Sequence, residues 1–142
     1  LAAAVVGRVA EGIDRGGRAR LERAVDAYAD VVARPGAGVD EIALADRETV
    51  RALLRETGST AMALVANPVF RVLDALPAVR AANYAAPDTN VAGFRLVVAA
   101  LRAKDRAVLG QVVEILEALD AALLERLQPR NRKHTPRPRR HK

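Results

Sequence analysis

Apolar residues recur at three- and four-residue intervals along almost the whole chain, and no stretch alternates apolar with polar as a half-buried strand does. That periodicity confines the chain to packed α-helices. Leu1, Val5, Val9 and Ile13 form a first stripe, which Gly16 and Gly17 are expected to end. A second helix is read from about Arg18 to Ala33, with Leu21, Ala24, Val25, Tyr28 and Val32 inward and Glu22, Arg23, Asp26 and Asp30 facing solvent. After the loop Arg34-Pro35-Gly36-Ala37-Gly38, a third helix is expected to start at Asp40, whose carboxylate can accept free first-turn N–H groups. It carries Ile42, Ala45, Thr49, Ala52 and Leu53 and stops at Thr57-Gly58. Residues 61–84 are apolar but contain Pro68 and Pro77, and are read as one kinked helix rather than two. Asp88 is expected to cap a fifth helix with Val91, Phe94, Val97, Val98 and Leu101 inward, and Asp105 a sixth. The sixth has the clearest stripe, Val108, Val112, Ile115, Leu116, Leu119 and Leu123, and ends near Leu127. The expected fold is all-α: an antiparallel bundle of about six helices over residues 1–127. A disordered basic tail over residues 128–142 is expected to follow.

The 142 residues amount to one domain, long enough to bury a core without disulfides or metals. Aromatic residues are only 3% against 51% hydrophobic, so that core is aliphatic. The formal net charge is +6, but seven of the 23 basic residues lie between Pro129 and Lys142, where there is no acid. The remaining 16 face 17 acids, so the basicity belongs to the tail and not to the bundle.

Cysteine is absent, which excludes a disulfide scaffold, a thiolate metal site and a Cys nucleophile, and fits a reducing compartment such as the cytoplasm. The two histidines, His134 and His141, are both in the tail, so the bundle can build neither a Ser-His-Asp triad nor a His-bound zinc site. The acid pairs Glu41/Asp46 and Glu114/Glu117 lie on amphipathic helices and read as exposed. Gly7, Gly12, Gly16 and Gly17 follow no strand and make no phosphate loop. No enzyme is expected. No apolar run reaches about 18 residues, so no membrane partner is expected either. The chain starts with Leu and is expected to be a segment of a longer product.

The stretch Ala45-Asp46-Arg47-Glu48-Thr49-Val50-Arg51-Ala52-Leu53-Leu54-Arg55-Glu56-Thr57-Gly58 resembles a segment of the C-terminal effector domain (FCD type) of FadR-type regulators in the GntR family. Phe94-Arg95-Leu96-Val97-Val98-Ala99-Ala100-Leu101-Arg102-Ala103-Lys104-Asp105 resembles a second helix and turn of that domain, and the last helix follows in place. The resemblance spans nearly all of residues 1–127. It implies an all-α bundle that binds a small-molecule effector in its interior and forms a homodimer. It also implies contact with DNA through a winged helix-turn-helix domain upstream, which this chain does not contain.

Many members of that family bind a divalent metal through one Asp and three His. The Asp position matches Asp46, whereas the His positions fall on Val50, Phe94 and Leu116. One carboxylate cannot satisfy a transition metal that needs three or four ligands, so neither metal nor other cofactor is expected. The fatty-acid-responsive branch of the family also lacks the metal set, and Arg51-Ala52-Leu53 with Thr57-Gly58 is similar to it. Val50, Phe94 and Leu116 would make the centre of a pocket apolar and suited to an acyl or lipid-like effector; the same three residues can equally be filled core. Asp46 would orient the ligand's polar end, or else be a surface acid or a partner of Arg51. Arg80 and Asn83, three apart on one helix face, would meet an anionic head group, or else face solvent. Met62 and Phe70 are read as core. The alternative function is a helical protein-interaction module that binds no small molecule and attracts nucleic acid through its tail, which has no aromatic residue for base stacking.

Overall fold

A computed structural model describes residues 2–127, which form seven helices and, among the described residues, no strand. The helices are α1 (Ala2–Gly12), α2 (Arg15–Ala33), α3 (Val39–Glu56), α4 (Thr60–Ala75), α5 (Pro77–Asn83), α6 (Pro87–Ala103) and α7 (Arg106–Leu127). The expected basic tail lies outside the described residues. No single helix among the described residues is long and apolar enough to cross a membrane.

The all-α expectation is met, with one more helix than the sequence reading gave. Residues 61–84 are two helices and not one kinked helix, bent by 109° at Leu76. Pro68 is accommodated inside α4, whereas Pro77 takes the first position of α5, where its missing N–H has no bond to lose. The first break also falls elsewhere than expected. Gly16 and Gly17 are helical, and Asp14 makes the boundary by accepting a 2.6 Å hydrogen bond from the Gly17 N–H. Gly38, not Asp40, precedes α3, and Glu41 reaches back to the Gly38 N–H at 3.4 Å. Asp88 lies within the first turn of α6, behind Pro87. Asp105 caps α7 as expected, accepting from Ala107 N–H at 2.8 Å. Gly58 has φ +63° after α3, the left-handed conformation anticipated for it.

α2 packs along α3 and α6, while α7 lies against α6 and α1. The main core joins Val5, Val6 and Val9 of α1 with Leu21 and Val25 of α2, Leu53 of α3, and Val97 and Leu101 of α6. A second cluster holds Tyr28, Ile42, Tyr84 and Val91. At the α2–α3 contact Thr49 is fully buried, and its hydroxyl donates toward the carbonyls of Ala24 and Ala45. Nearby, Gly17 lets α2 approach α3 closely. A Cβ there would overlap a Glu56 carboxylate oxygen, and that carboxylate is held by two hydrogen bonds from Arg20 at 3.0 and 3.1 Å. Glu22, expected to face solvent, is half-buried and pairs with Arg102 at 2.7 Å.

α4 carries an exposed polar stripe of Asn67, Arg71 and Asp74, and its remaining apolar surface is only partly covered. Ala66 and Phe70 are buried, while Leu64, Val65, Val69 and Val72 are exposed. On α7, Val112 is buried but Ile115 and Leu119 are exposed, so the expected stripe is only partly covered.

Candidate functional site

Between the two core clusters lies a partly open cavity of about 310 Å³, at the lower end of the roughly 300–1,000 Å³ usual for small-molecule sites. Its walls come from α1 (Val5, Val6), α3 (Asp46, Val50, Leu53, Leu54), α4 (Ala66, Val69, Phe70), α6 (Gly93, Phe94, Val97) and α7 (Leu116, Leu119). Polar groups enter through Asp46, Asn83, Thr89 and Asn90, and every other lining residue is apolar or Gly.

Three turns of α3 explain the contrast within that wall. Asp46, Val50 and Leu53 follow one another at helical spacing and so share its inner face, with the acid at one end and aliphatic groups beyond it. Asn90, Phe94 and Val97 repeat the pattern on α6. The narrow Gly93 leaves room beside Leu116, where a Cβ would already touch the Leu116 side chain at 3.4 Å.

Asp46 is 9% exposed, and the Tyr84 hydroxyl donates to its Oδ2 at 2.8 Å. No other hydrogen bond reaches this carboxylate among the described residues. Burial raises its pKa from 3.8 to about 6, against the downward pull of the Tyr84 hydrogen bond and the nearby Arg47 charge. Burial beside the same carboxylate pushes the Tyr84 and Tyr28 phenols well above their usual range. Tyr28 is fully buried, edge-on to Phe94 with ring centroids 6.1 Å apart. Among the described residues its hydroxyl finds no hydrogen-bond partner; the Asn90 side chain approaches it without bonding geometry.

Of the six residues singled out from the sequence, Asp46, Val50, Asn83, Phe94 and Leu116 all line this cavity. Arg80 does not. Its guanidinium is drawn to the acid in the first turn of α3, pairing with Asp40 at 2.7 Å, while the shorter Asn83 one turn on stays at the cavity wall. Asp46 is neither a surface acid nor a partner of Arg51, which pairs with Glu48 at 2.6 Å. Phe70 is buried core and cavity wall at once.

Sequence reasoning missed Tyr84, Thr89 and Asn90. Asn90 was open to discovery, since it stands one turn before Phe94 on the same face. Tyr84 carried no local signal, because it reaches Asp46 only through the turn after α5.

The donor set does not fit a transition metal. Among the described residues Asp46 is the one carboxylate in the lining, and Val50, Phe94 and Leu116 bring no ligand atom to it.

A family model described as the FCD domain matches residues 1–118. No curated protein matches the chain, and no solved structure does.

Proposed function

The chain belongs to the FCD domain family, the regulatory, non-catalytic domains that bind effectors and mediate dimerisation in GntR-type transcription regulators; from that premise we propose that this member is a FadR-type sensor whose cavity takes an apolar, acyl or lipid-like effector without a metal. The observation that carries the reading is the meeting of Asp46, Val50, Phe94 and Leu116 around one open space. Filling such a space with hydrocarbon contributes about 0.8 kcal/mol per methylene removed from water. Occupancy would favour one dimer geometry over another, and so hold DNA-reading domains in or out of register with an operator. Such a regulator works in the cytoplasm beside its DNA.

The dimer contact in this reading is a second copy of the chain seated on the exposed face of α4. An apolar strip left open beside the polar stripe of Asn67, Arg71 and Asp74 calls for cover. Leu64, Val65, Val69 and Val72 form that strip.

Thermal unfolding with a series of medium-chain alcohols and acyl esters, and separately with zinc, manganese and nickel salts, tests the effector reading. The apolar ligands are expected to raise Tm and the metals are not. Leu116→Trp, which fills the cavity, is expected to abolish the shift. Stabilisation only by a metal together with a carboxylic acid would overturn the proposal.

A further inference from the structure

Among the described residues the cavity has one charged lining residue, Asp46, and no cationic one. Neighbouring arginines are engaged elsewhere: Arg47 with Asp74, Arg51 with Glu48, Arg80 with Asp40. The Asp46 carboxylate receives a hydrogen bond on Oδ2 alone, from Tyr84. Asn83, Thr89 and Asn90 are the uncharged polar residues of the lining, while Val50, Phe94 and Leu116 are apolar.

We propose that the ligand of this cavity carries an ammonium group that docks on the Asp46 carboxylate, with its apolar body against Val50, Phe94 and Leu116. The inference rests on reading the cavity as the effector site, and specifies the head group.

The argument is electrostatic. A carboxylate head would be brought beside Asp46 in a low-dielectric space where the nearest cation, Arg47, already answers Asp46 and pairs with Asp74, leaving no second positive charge for a second carboxylate. A hydroxyl would supply one hydrogen bond and no charge. An ammonium supplies three donors and a charge of opposite sign. One donor suits the carboxylate, and the others suit the side-chain oxygens of Asn83, Thr89 or Asn90. Charge-assisted pairs of this kind are roughly twice as strong as neutral ones.

The test uses three ligands of one shape, phenylpropylamine, phenylpropanol and phenylpropanoate, titrated calorimetrically into the protein at neutral pH and constant ionic strength. The amine is expected to bind on the order of tenfold tighter than the alcohol, and the acid not to bind measurably. In Asp46→Asn the amine should lose its advantage while the alcohol keeps its affinity, a change of selectivity that a merely structural role would not produce. In Tyr84→Phe, titrated at pH 8 so that Asp46 stays ionised despite the lost hydrogen bond, the amine preference is expected to persist, which covers the case of an Asp46→Asn protein that does not fold. Binding of the acid as tight as that of the amine would overturn the head-group assignment and leave the effector cavity standing. An amine advantage that survives Asp46→Asn, or stronger stabilisation by calcium alone, would do the same. If none of the three binds, the effector reading itself falls, and this inference with it.

Discussion

The Tyr84 hydroxyl donates a 2.8 Å hydrogen bond to Asp46 Oδ2, joining the turn after α5 to the middle of α3 across 38 residues of sequence. The bond holds a carboxylate in a place that otherwise disfavours charge, and the first expectations concern what that arrangement costs.

Asp46→Asn should change how stability depends on pH. The folded pKa of about 6 lies above the ordinary 3.8, so the native state binds more protons than the unfolded chain between those values. Stability therefore falls as pH rises through that window, and the cost is complete above about 6. Asn carries no charge to bury. The variant is expected to gain on the parent as pH rises, by roughly 1–3 kcal/mol at neutral pH. Urea unfolding across the window measures it, and a difference independent of pH would contradict the account.

The two tyrosines should respond oppositely to loss of their hydroxyls. Tyr84→Phe removes the one hydrogen bond to a buried carboxylate and is expected to cost about 1–3 kcal/mol. It should also push the Asp46 pKa higher, visible in a carboxyl NMR titration. Tyr28→Phe removes a buried hydroxyl that has no partner, and is expected to be neutral or stabilising.

Gly17→Ala and Gly7→Ala are both helical glycine replacements, yet they should differ in sign. At Gly17 the added methyl runs into Glu56 and the Ile13 side chain, so the Arg20–Glu56 pair must shift at a cost of about 1–3 kcal/mol. At Gly7 nothing lies within 4 Å, and the gain in helix propensity should stabilise by up to about 1 kcal/mol. Thermal unfolding of the two variants side by side decides it.

Val65→Glu on the uncovered face of α4 should yield a monomer. The side chain is 55% exposed, so the fold of one copy is expected to persist, with circular dichroism unchanged. Sedimentation equilibrium reads the mass. A variant that dimerises as the parent does would remove α4 from the interface.

The helices that could be read from the sequence are those whose apolar residues stay in register with one buried face. Val91, Val97 and Leu101 on α6 were placed correctly for that reason, as was the Asp105 cap, which depends only on residues two and three positions away. The α4–α5 corner was misread because two prolines mark the stretch and act differently: Pro68 is carried inside α4, whereas Pro77 opens a new helix, and nothing local separates the two cases. Gly16 and Gly17 looked like a stop, yet Gly17 serves a close approach to Glu56, a partner 39 residues away that local pattern does not reveal. The cavity is a similar case. The positions of Val50, Phe94 and Leu116 came from a family resemblance, but whether side chains fill the space between them depends on how far apart the helices stand. The burial of Asp46 was hidden too, since an acid on an amphipathic helix reads as solvent-facing until its phenol partner is known.

α5 contributes no buried residue of its own. Side chains tie α5 and the turn after it to α3 at two points four residues apart, Arg80 to the largely solvated Asp40 and Tyr84 to Asp46. Solvated ion pairs add little, which leaves the phenol as the stronger anchor. This short helix is thus a loosely sewn patch on an otherwise firm bundle. Its amides should be among the earliest to exchange with deuterium, and whatever steadies Asp46 should slow them.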